Sequence, residues 1–370
     1  MKIILVAGAR PNFMKIAPII RAIKSRQAIE AIEYLLVHTG QHYDANMSES
    51  FFEDLGIPKP DYHLNAGGGS HSEQTAKIMV AFEKICLDEA PDVVLVVGDV
   101  NSTLACSIVA KKLLIKVAHV EAGLRSFDMA MPEEINRMVT DAITDYFFTT
   151  EKHGNENLLR EGKSRGAIHY VGHVMIDNLL FQHEKVLDTV DSEFACHDLK
   201  ARLGQYLFLT LHRPSNVDDK EKLSDIVRAL NQVAEETPIL FPVHPRTRKM
   251  LDSFGVRMSE RIVQLEPLGY QEALYLWKDA LCVFTDSGGL QEETTGLGVP
   301  CFTIRDNTER PVTVEEGTNT LIGTTGANIL AAYDGLKKGN VKTGSVPELW
   351  DGKAAQRIVD VLIEDVTSPL

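Results

Sequence analysis

Cysteine is scarce in this chain of 370 residues: there are five, Cys86, Cys106, Cys196, Cys282 and Cys301. The count is odd and no pair has the C-x-x-C spacing, which excludes a disulfide framework and a zinc knuckle and leaves reduced, buried thiols in a cytoplasmic setting. Long apolar runs are missing as well. Nothing approaches the roughly 18 residues that a membrane-spanning helix needs. The apolar opening Ile3–Ala9 imitates a signal peptide, but it is too short and Arg10 follows at once, so it reads as a first β-strand. Basic charge is in deficit: Lys+Arg 38 against Asp+Glu 52 gives a net charge of −14. Without a basic stripe, nucleic acid and anionic membranes are excluded as partners, and an anionic ligand has to be held by a few placed cations. Gly 26 and Pro 15 are near background, which excludes collagen-like and low-complexity readings. The histidines show no metal spacing such as H-E-x-x-H, and Gly8 stands alone where a G-x-G-x-x-G fingerprint would begin, so neither a metal nor NAD is expected.

What is present is ordinary globular stock, 44% hydrophobic and 24% charged, long enough for about two domains. Short apolar runs alternate with amphipathic stretches. Ile3–Val6, Tyr34–Val37, Val93–Val97, Val117–Val120 and Tyr146–Thr149 read as buried strands. Helical patterns lie near Phe13–Arg26, Ser70–Asp88, Ser102–Leu114 and Glu133–Thr144. The pattern then resets, with strands at Leu207–Leu211, Ile239–Val243, Ile262–Leu265, Cys282–Thr285 and Cys301–Ile304. This alternation predicts an α/β protein of two Rossmann-like, doubly wound domains facing a cleft. The boundaries are 1–172 for the first domain and 173–349 for the second. The hinge lies around Gly172–Leu203, and the polar stretch Lys185–Lys200 separates the two strand sets. The tail, about 350–370, carries an amphipathic helix at Ala354–Glu364 that packs back onto the first domain.

Ligands of doubly wound sheets sit off the carboxyl ends of strands, so the residues just beyond each strand matter most. After the first strand come Gly8-Ala9-Arg10-Pro11-Asn12 and then Lys15, two cations at a helix N-terminus where a phosphate or diphosphate fits. Gly98-Asp99-Val100-Asn101-Ser102 comes after Val93–Val97; Asp99 is a candidate acid or a loop and capping residue. His119-Val120-Glu121-Ala122-Gly123-Leu124-Arg125 puts Glu121 directly off an apolar strand, a costly place unless it has a partner, such as Arg125, or a task. In Pro132-Glu133-Glu134-Ile135-Asn136-Arg137, Glu133 is either the i,i+4 partner of Arg137 or a third carboxylate on the same sheet edge. Three converging carboxylates are how a site obtains acid and base groups with separated pKa values. In the second half, His212 comes after Leu207–Leu211 as a proton carrier or phosphate contact. His244-Pro245-Arg246 comes after the next strand. Thr285-Asp286-Ser287-Gly288-Gly289-Leu290-Gln291-Glu292-Glu293 runs from strand into helix; Ser287, Gly288 and Gly289 offer backbone N–H groups to an anion, and Glu293 is placed for ribose hydroxyls. Asn307-Thr308-Glu309-Arg310-Pro311 adds a last cation, Arg310.

In combination these segments resemble the UDP-N-acetylglucosamine 2-epimerase family in its non-hydrolysing form, over nearly the whole chain. The resemblance implies the two-domain architecture called GT-B. It implies UDP held by Ser287, Gly288, Gly289, Glu293 and Arg310, with Arg10, Lys15, Asp99, Glu121, Glu133 and His212 at the other active-site positions. It implies a UDP-sugar ligand without metal or cofactor, in a homodimer. Three departures stand out. Gly172-His173 replaces the family's Gly-Asn. Arg10-Pro11-Asn12 replaces Arg-Pro-Glu. Of a second, regulatory nucleotide-sugar site, Gln41-His42 and His244 match, but Asp44 replaces a Gln and Ala66-Gly67-Gly68-Gly69-Ser70 lacks the Arg, which argues against activation by substrate. The expected reaction interconverts UDP-GlcNAc and UDP-ManNAc by eliminating UDP to 2-acetamidoglucal and adding it back. The competing readings are a hydrolysing 2-epimerase, a 2-epimerase of a modified UDP-HexNAc, a GT-B glycosyltransferase and a non-catalytic nucleotide-sugar binder.

Overall fold

The structure is a computed structural model that describes residues 1–40, 52 and 55–367. Its strands form where the chain is apolar on both faces: Ile3–Ala7 and Val93–Val97 are buried throughout, as parallel strands covered by helices must be. The first sheet holds β1 (Lys2–Ala7), β2 (Glu33–His38), β3 (Tyr62–His63), β4 (Val93–Val97), β5 (Lys116–Val120), β6 (Tyr146–Thr149) and β7 (Ile168–Tyr170), in the order β3-β2-β1-β4-β5-β6-β7. The second holds β8 (Leu207–Thr210), β9 (Ile239–Pro242), β10 (Ile262–Leu265), β11 (Val283–Thr285), β12 (Cys301–Thr303) and β13 (Asn319–Leu321), in the order β10-β9-β8-β11-β12-β13. The described pairings are parallel in both sheets. Strand order reverses between β1 and β4 and again between β8 and β11, and these switch points are where an open α/β sheet gathers ligands.

By contact the chain divides into two units, Met1–Asn178 with Glu348–Leu370, and Leu179–Pro347. In the first, the helix Arg10–Arg26 packs Phe13, Ile16, Ile20 and Ile23 on one face of the sheet, together with Ile358, Val359 and Leu362 of the helix Ala354–Thr367. The helices His71–Glu89 and Asn101–Lys112 cover the other face through Ile78, Phe82, Ala105 and Val109. A capping box starts the first of these: Ser70 Oγ accepts from Glu73 N–H while Glu73 accepts from Ser70 N–H. In the second unit, Asp219 caps the helix Lys220–Glu236, whose Leu223, Ile226, Val227, Leu230 and Val233 enter the core at helical spacing.

The sequence pattern missed three edge strands, β3, β7 and β13. They are two or three residues long and only partly buried, so neither length nor alternation marks them. The stretch Lys185–Lys200, expected as a separator, is largely structured: it takes in the end of the helix Val174–Asp188, a short helical turn at Asp191–Glu193 and the start of the helix His197–Leu203.

Candidate active site

In the first sheet, register dictates which side chains meet. Val97 stands opposite Val120, so the chain leaves β4 and β5 at neighbouring points, with Gly98-Asp99 beside Glu121. Gly98 has φ +68, and a Cβ there would lie 2.9 Å from Lys15 Nζ and 3.6 Å from Glu121 Oε2. The missing side chain is the space those two groups occupy. Lys15 Nζ and Glu121 Oε2 pair at 2.5 Å, nearly shielded from solvent. Glu121 itself has φ +71, a left-handed conformation that costs a non-glycine residue about 1–3 kcal/mol and clusters at functional sites. The alternative raised by the sequence, a Glu121–Arg125 pair, does not form. Arg125 turns to Asp141 and Glu161, because Asp141 is already fixed beneath the strand end.

That fixing is a buried chain. His119 is fully enclosed, with Nδ1 2.7 Å from Asp141 Oδ1 and Nε2 2.9 Å from Gly98 O. Asp141 Oδ2 accepts from Gly123 N–H at 3.0 Å. Burial alone would push the Asp141 carboxyl up, but His119, Arg125 and the Gly123 N–H hold it below its ordinary value. One imidazole thereby ties together the turns after β4 and β5.

Asp99 is gripped from the side. Arg137 Nη2 reaches Asp99 Oδ2 at 2.5 Å, and Arg137 Nη1 reaches Glu134 Oε2 at 2.7 Å. Glu134 is buried and also accepts from the N–H groups of Ser126 and Phe127, both at 2.9 Å. The expected Glu133–Arg137 pair is therefore replaced by Glu134 and Asp99. At i,i+3, Glu134 lies on the buried face of the helix Pro132–Ile143, whereas Glu133 is exposed in its first turn. Among the described residues no hydrogen bond or ion pair joins Glu133 to Asp99 or Glu121. The turn after β1 is tied down by Asn12. Asn12 Oδ1 accepts from the N–H groups of Gly8 and Ala9, at 3.1 and 3.0 Å, and its amide donates to Val97 O. Those two N–H groups are thus already engaged. Arg10 opens the helix, and its side chain is not among the described ones. Gln41, His42 and Asp44 lie outside the described residues.

In the second sheet, Thr210 stands opposite Thr285, which brings His212 to Asp286. His212 Nδ1 lies 2.9 Å from Asp286 Oδ1. Ser287 begins the helix Gly288–Leu297, but its N–H is spent on Thr285 Oγ1 at 2.9 Å, so the expected cradle retains the turn formed by Gly288 and Gly289. A Cβ on Gly288 would lie 2.8 Å from Arg310 Nη1, and one on Gly289 would meet nothing within 4 Å. Glycine therefore lets the Arg310 guanidinium press against the helix start, where Arg310 Nε pairs with Glu292 at 2.6 Å. Glu293 is buried and accepts from Tyr270 Oη at 2.8 Å. Burial pushes its carboxyl up to about 7, with Tyr270 opposing and Glu292 adding to the rise.

The structure thus joins Lys15 with Glu121 beside Gly98, sets Asp99 next to them under Arg137, and assembles His212, Ser287, Gly288, Gly289, Glu293 and Arg310 along the second sheet's switch point. Sequence reasoning passed over Asp141 and Tyr270 and named Glu134 only within its motif, and the part each plays becomes visible only when strand register or a helix face is known. It quoted Asp286, Arg137 and His119 without giving them their partners.

A family model described as UDP-N-acetylglucosamine 2-epimerase matches residues 23–363. A UDP-N-acetylglucosamine 2-epimerase of Methanocaldococcus jannaschii is 44% identical over 370 residues, covering 98% of this chain and 99% of that one. A UDP-2,3-diacetamido-2,3-dideoxy-D-glucuronate 2-epimerase of Pseudomonas aeruginosa is 42% identical over 366 residues, with 98% and 99% covered. Among solved structures, that of the M. jannaschii UDP-GlcNAc 2-epimerase in complex with UDP-GlcNAc and UDP superposes with a TM-score of 0.83 at 43% identity, over 98% of this chain and 100% of the other.

Proposed function

The chain belongs to the UDP-N-acetylglucosamine 2-epimerase family, and on that premise we propose that it interconverts UDP-GlcNAc and UDP-ManNAc by inverting C2. The observation that carries the reading is the shielded Glu121–Lys15 pair at a strained strand end beside Gly98. It is a carboxylate held at a backbone cost, next to a cation, at the switch point of the sheet.

The chemistry explains why both kinds of group are required. The C2 proton of a UDP-sugar adjoins no carbonyl and is not acidic. Breaking the C1–O bond sends its electron pair to the departing UDP and builds positive charge at C1, which acidifies the C2 proton. A carboxylate takes that proton, and the C2–H electrons form the C1=C2 bond of 2-acetamidoglucal. In the return step a phosphate oxygen of UDP attacks C1 while a proton reaches the opposite face of C2. Two faces call for more than one proton carrier; Asp99, Glu121 and Glu133 are the candidates. Negative charge grows on the departing diphosphate, and Arg310, His212 and the helix start at Ser287-Gly288-Gly289 stabilise it. Glu293 Oε1 accepts from the Tyr270 hydroxyl, and its other oxygen is assigned to a ribose hydroxyl.

Incubation with UDP-GlcNAc in deuterated water tests this. The expected product is UDP-ManNAc bearing deuterium at C2. Free ManNAc would instead indicate the hydrolysing reaction, and transfer of the sugar to an acceptor would indicate a glycosyltransferase. A second reading is favoured by the P. aeruginosa relative, which is almost as similar and is named for a diacetamido uronate. The same C2 chemistry would then act on a modified sugar, and turnover of that substrate with none of UDP-GlcNAc would establish it.

A further inference from the structure

His212 lies beyond β8 and Asp286 beyond β11, two strands whose register sets Thr210 opposite Thr285 and bonds their hydroxyls at 2.6 Å. Each strand then turns off the sheet, and the two side chains arrive together. Asp286 has no solvent exposure. Its Oδ1 lies 2.9 Å from His212 Nδ1 and 3.1 Å from His212 N. Its Oδ2 accepts from His212 N at 2.9 Å, from Arg213 N at 2.8 Å and from Asn216 Nδ2 at 3.2 Å. Asn216 gives its other N–H to Ile304 O at 2.9 Å, and its own Oδ1 has no partner among the described residues. The amide is thus committed to donating toward Asp286 although its oxygen gains nothing. Backbone, amide and imidazole all converge on one enclosed carboxylate.

We propose that Asp286 is the positioning residue for His212, holding the ring with a proton on Nδ1 so that Nε2 is the nitrogen offered to the departing diphosphate. The proposal rests on the role given to His212 above. A carboxylate with no proton can only accept, so the nitrogen facing it must carry hydrogen. The His212 side chain is 37% exposed while its partner is enclosed, so the ring is anchored at one nitrogen and presented at the other. A neutral ring turned over, with hydrogen on Nε2, would set a lone pair against the carboxylate. Orientation and tautomer are fixed by the same contact, as a buried carboxylate fixes the imidazole of a hydrolase triad.

Two measurements test this. In wild-type protein with 15N-labelled histidine, nuclear magnetic resonance is expected to show His212 with Nδ1 protonated wherever the ring is neutral. A neutral ring with hydrogen on Nε2 overturns the proposal, and because no substitution is needed, folding cannot obscure it. The second is a cycle of Asp286→Asn, His212→Gln and the double variant, each with a thermal melt. Asp286→Asn is expected to lower kcat and kcat/KM together by about 10²–10⁴-fold, the range of a general acid or base. In the His212→Gln background the same change is expected to cost no more than about twofold, because a residue acting through the ring has nothing left to act on. A double variant slowed by the full product of the two single effects overturns the proposal, since Asp286 would then serve the fold alone. If Asp286→Asn does not melt cooperatively, Asp286→Glu takes its place; it keeps the charge and displaces the ring. A His212→Gln enzyme as fast as wild type defeats the diphosphate role of His212, while the tautomer still decides whether Asp286 holds the ring.

Discussion

Glu121 pays for its position twice, through a left-handed backbone and through loss of solvent, and Lys15 returns only part of that by pairing with it. The proton transfer proposed for Glu121 gives that cost a purpose. Glutamine at 121 and asparagine at 99 keep the shape and remove the proton carrier. Amide variants at two or more of Asp99, Glu121 and Glu133 are expected to lose about 10²–10⁴-fold in turnover. UDP affinity should be nearly unchanged, because UDP is assigned to residues of the other unit. Melts must accompany the rates, since Asp99 and Glu121 are salt-bridged. Turnover within about tenfold of wild type in all three folded variants contradicts the assignment. Glu293 supports a different experiment. Its carboxyl is pushed from 4.5 up to about 7 by burial. The unfolded chain releases that proton near the ordinary value and the folded protein holds it to about 7. This group's contribution is therefore full below about pH 4.5 and is lost as pH rises toward 7. Glutamine keeps an acceptor for Tyr270 and removes the titration. Glu293→Gln should match wild type in stability near pH 4 and exceed it above pH 7 by on the order of 3 kcal/mol, read by denaturant unfolding. Equal stability at both pH values would contradict it.

Elements decide what single residues cannot. The turns after β4 and β5 are built on two glycines in left-handed conformations, Gly98 at φ +68 and Gly123 at φ +79, and the two have different neighbours. A Cβ on Gly98 meets the flexible end of Lys15, whereas one on Gly123 would come within 2.3 Å of the Gly154 carbonyl oxygen. Alanine at 98 should cost roughly 1–2 kcal/mol of backbone strain, yet depress turnover further than that loss explains, because Lys15 is displaced from Glu121. Alanine at 123 should destabilise by clearly more, since backbone cannot swing aside. Melting and kcat measured on both variants check this; a Gly98→Ala enzyme of normal turnover would show that the Lys15 placement is not critical. The same geometry explains how far the amino-acid pattern could reach. Runs such as Val93–Val97 announce themselves as strands, and the first residues beyond the strand ends include Asp99 and Glu121. Which acid reaches Arg137 depends on the face of the helix Pro132–Ile143, and two acids stand side by side at its start. Periodicity alone did not choose Glu134 over Glu133, nor did it reveal that Asn12 engages the N–H groups of Gly8 and Ala9.

At the scale of the molecule, two runs of one β-α pattern were enough to read the architecture, because parallel strands covered on both faces must be apolar throughout. Edge strands such as β3 and β13 escaped because an edge needs little burial. The acidic balance bears on mechanism too. A chain of net charge −14 does not attract an anionic nucleotide-sugar by its overall field, so under the proposed mechanism the charge that grows on the departing diphosphate must be met locally. In the proposed reaction that charge is given to Arg310, which lies against the start of the helix Gly288–Leu297. Many enzymes meet diphosphate with a divalent ion held by carboxylates, but here three of the acids are already engaged: Asp99 by Arg137, Glu121 by Lys15, Asp286 by His212. Among the described residues no three His, Cys, Asp or Glu side chains gather as metal ligands. Turnover of UDP-GlcNAc is expected to be unchanged after exhaustive chelation and desalting. Activity lost on chelation and restored by a divalent ion would show that the protein's own cations do not suffice, and the role given to Arg310 would have to be shared with a metal.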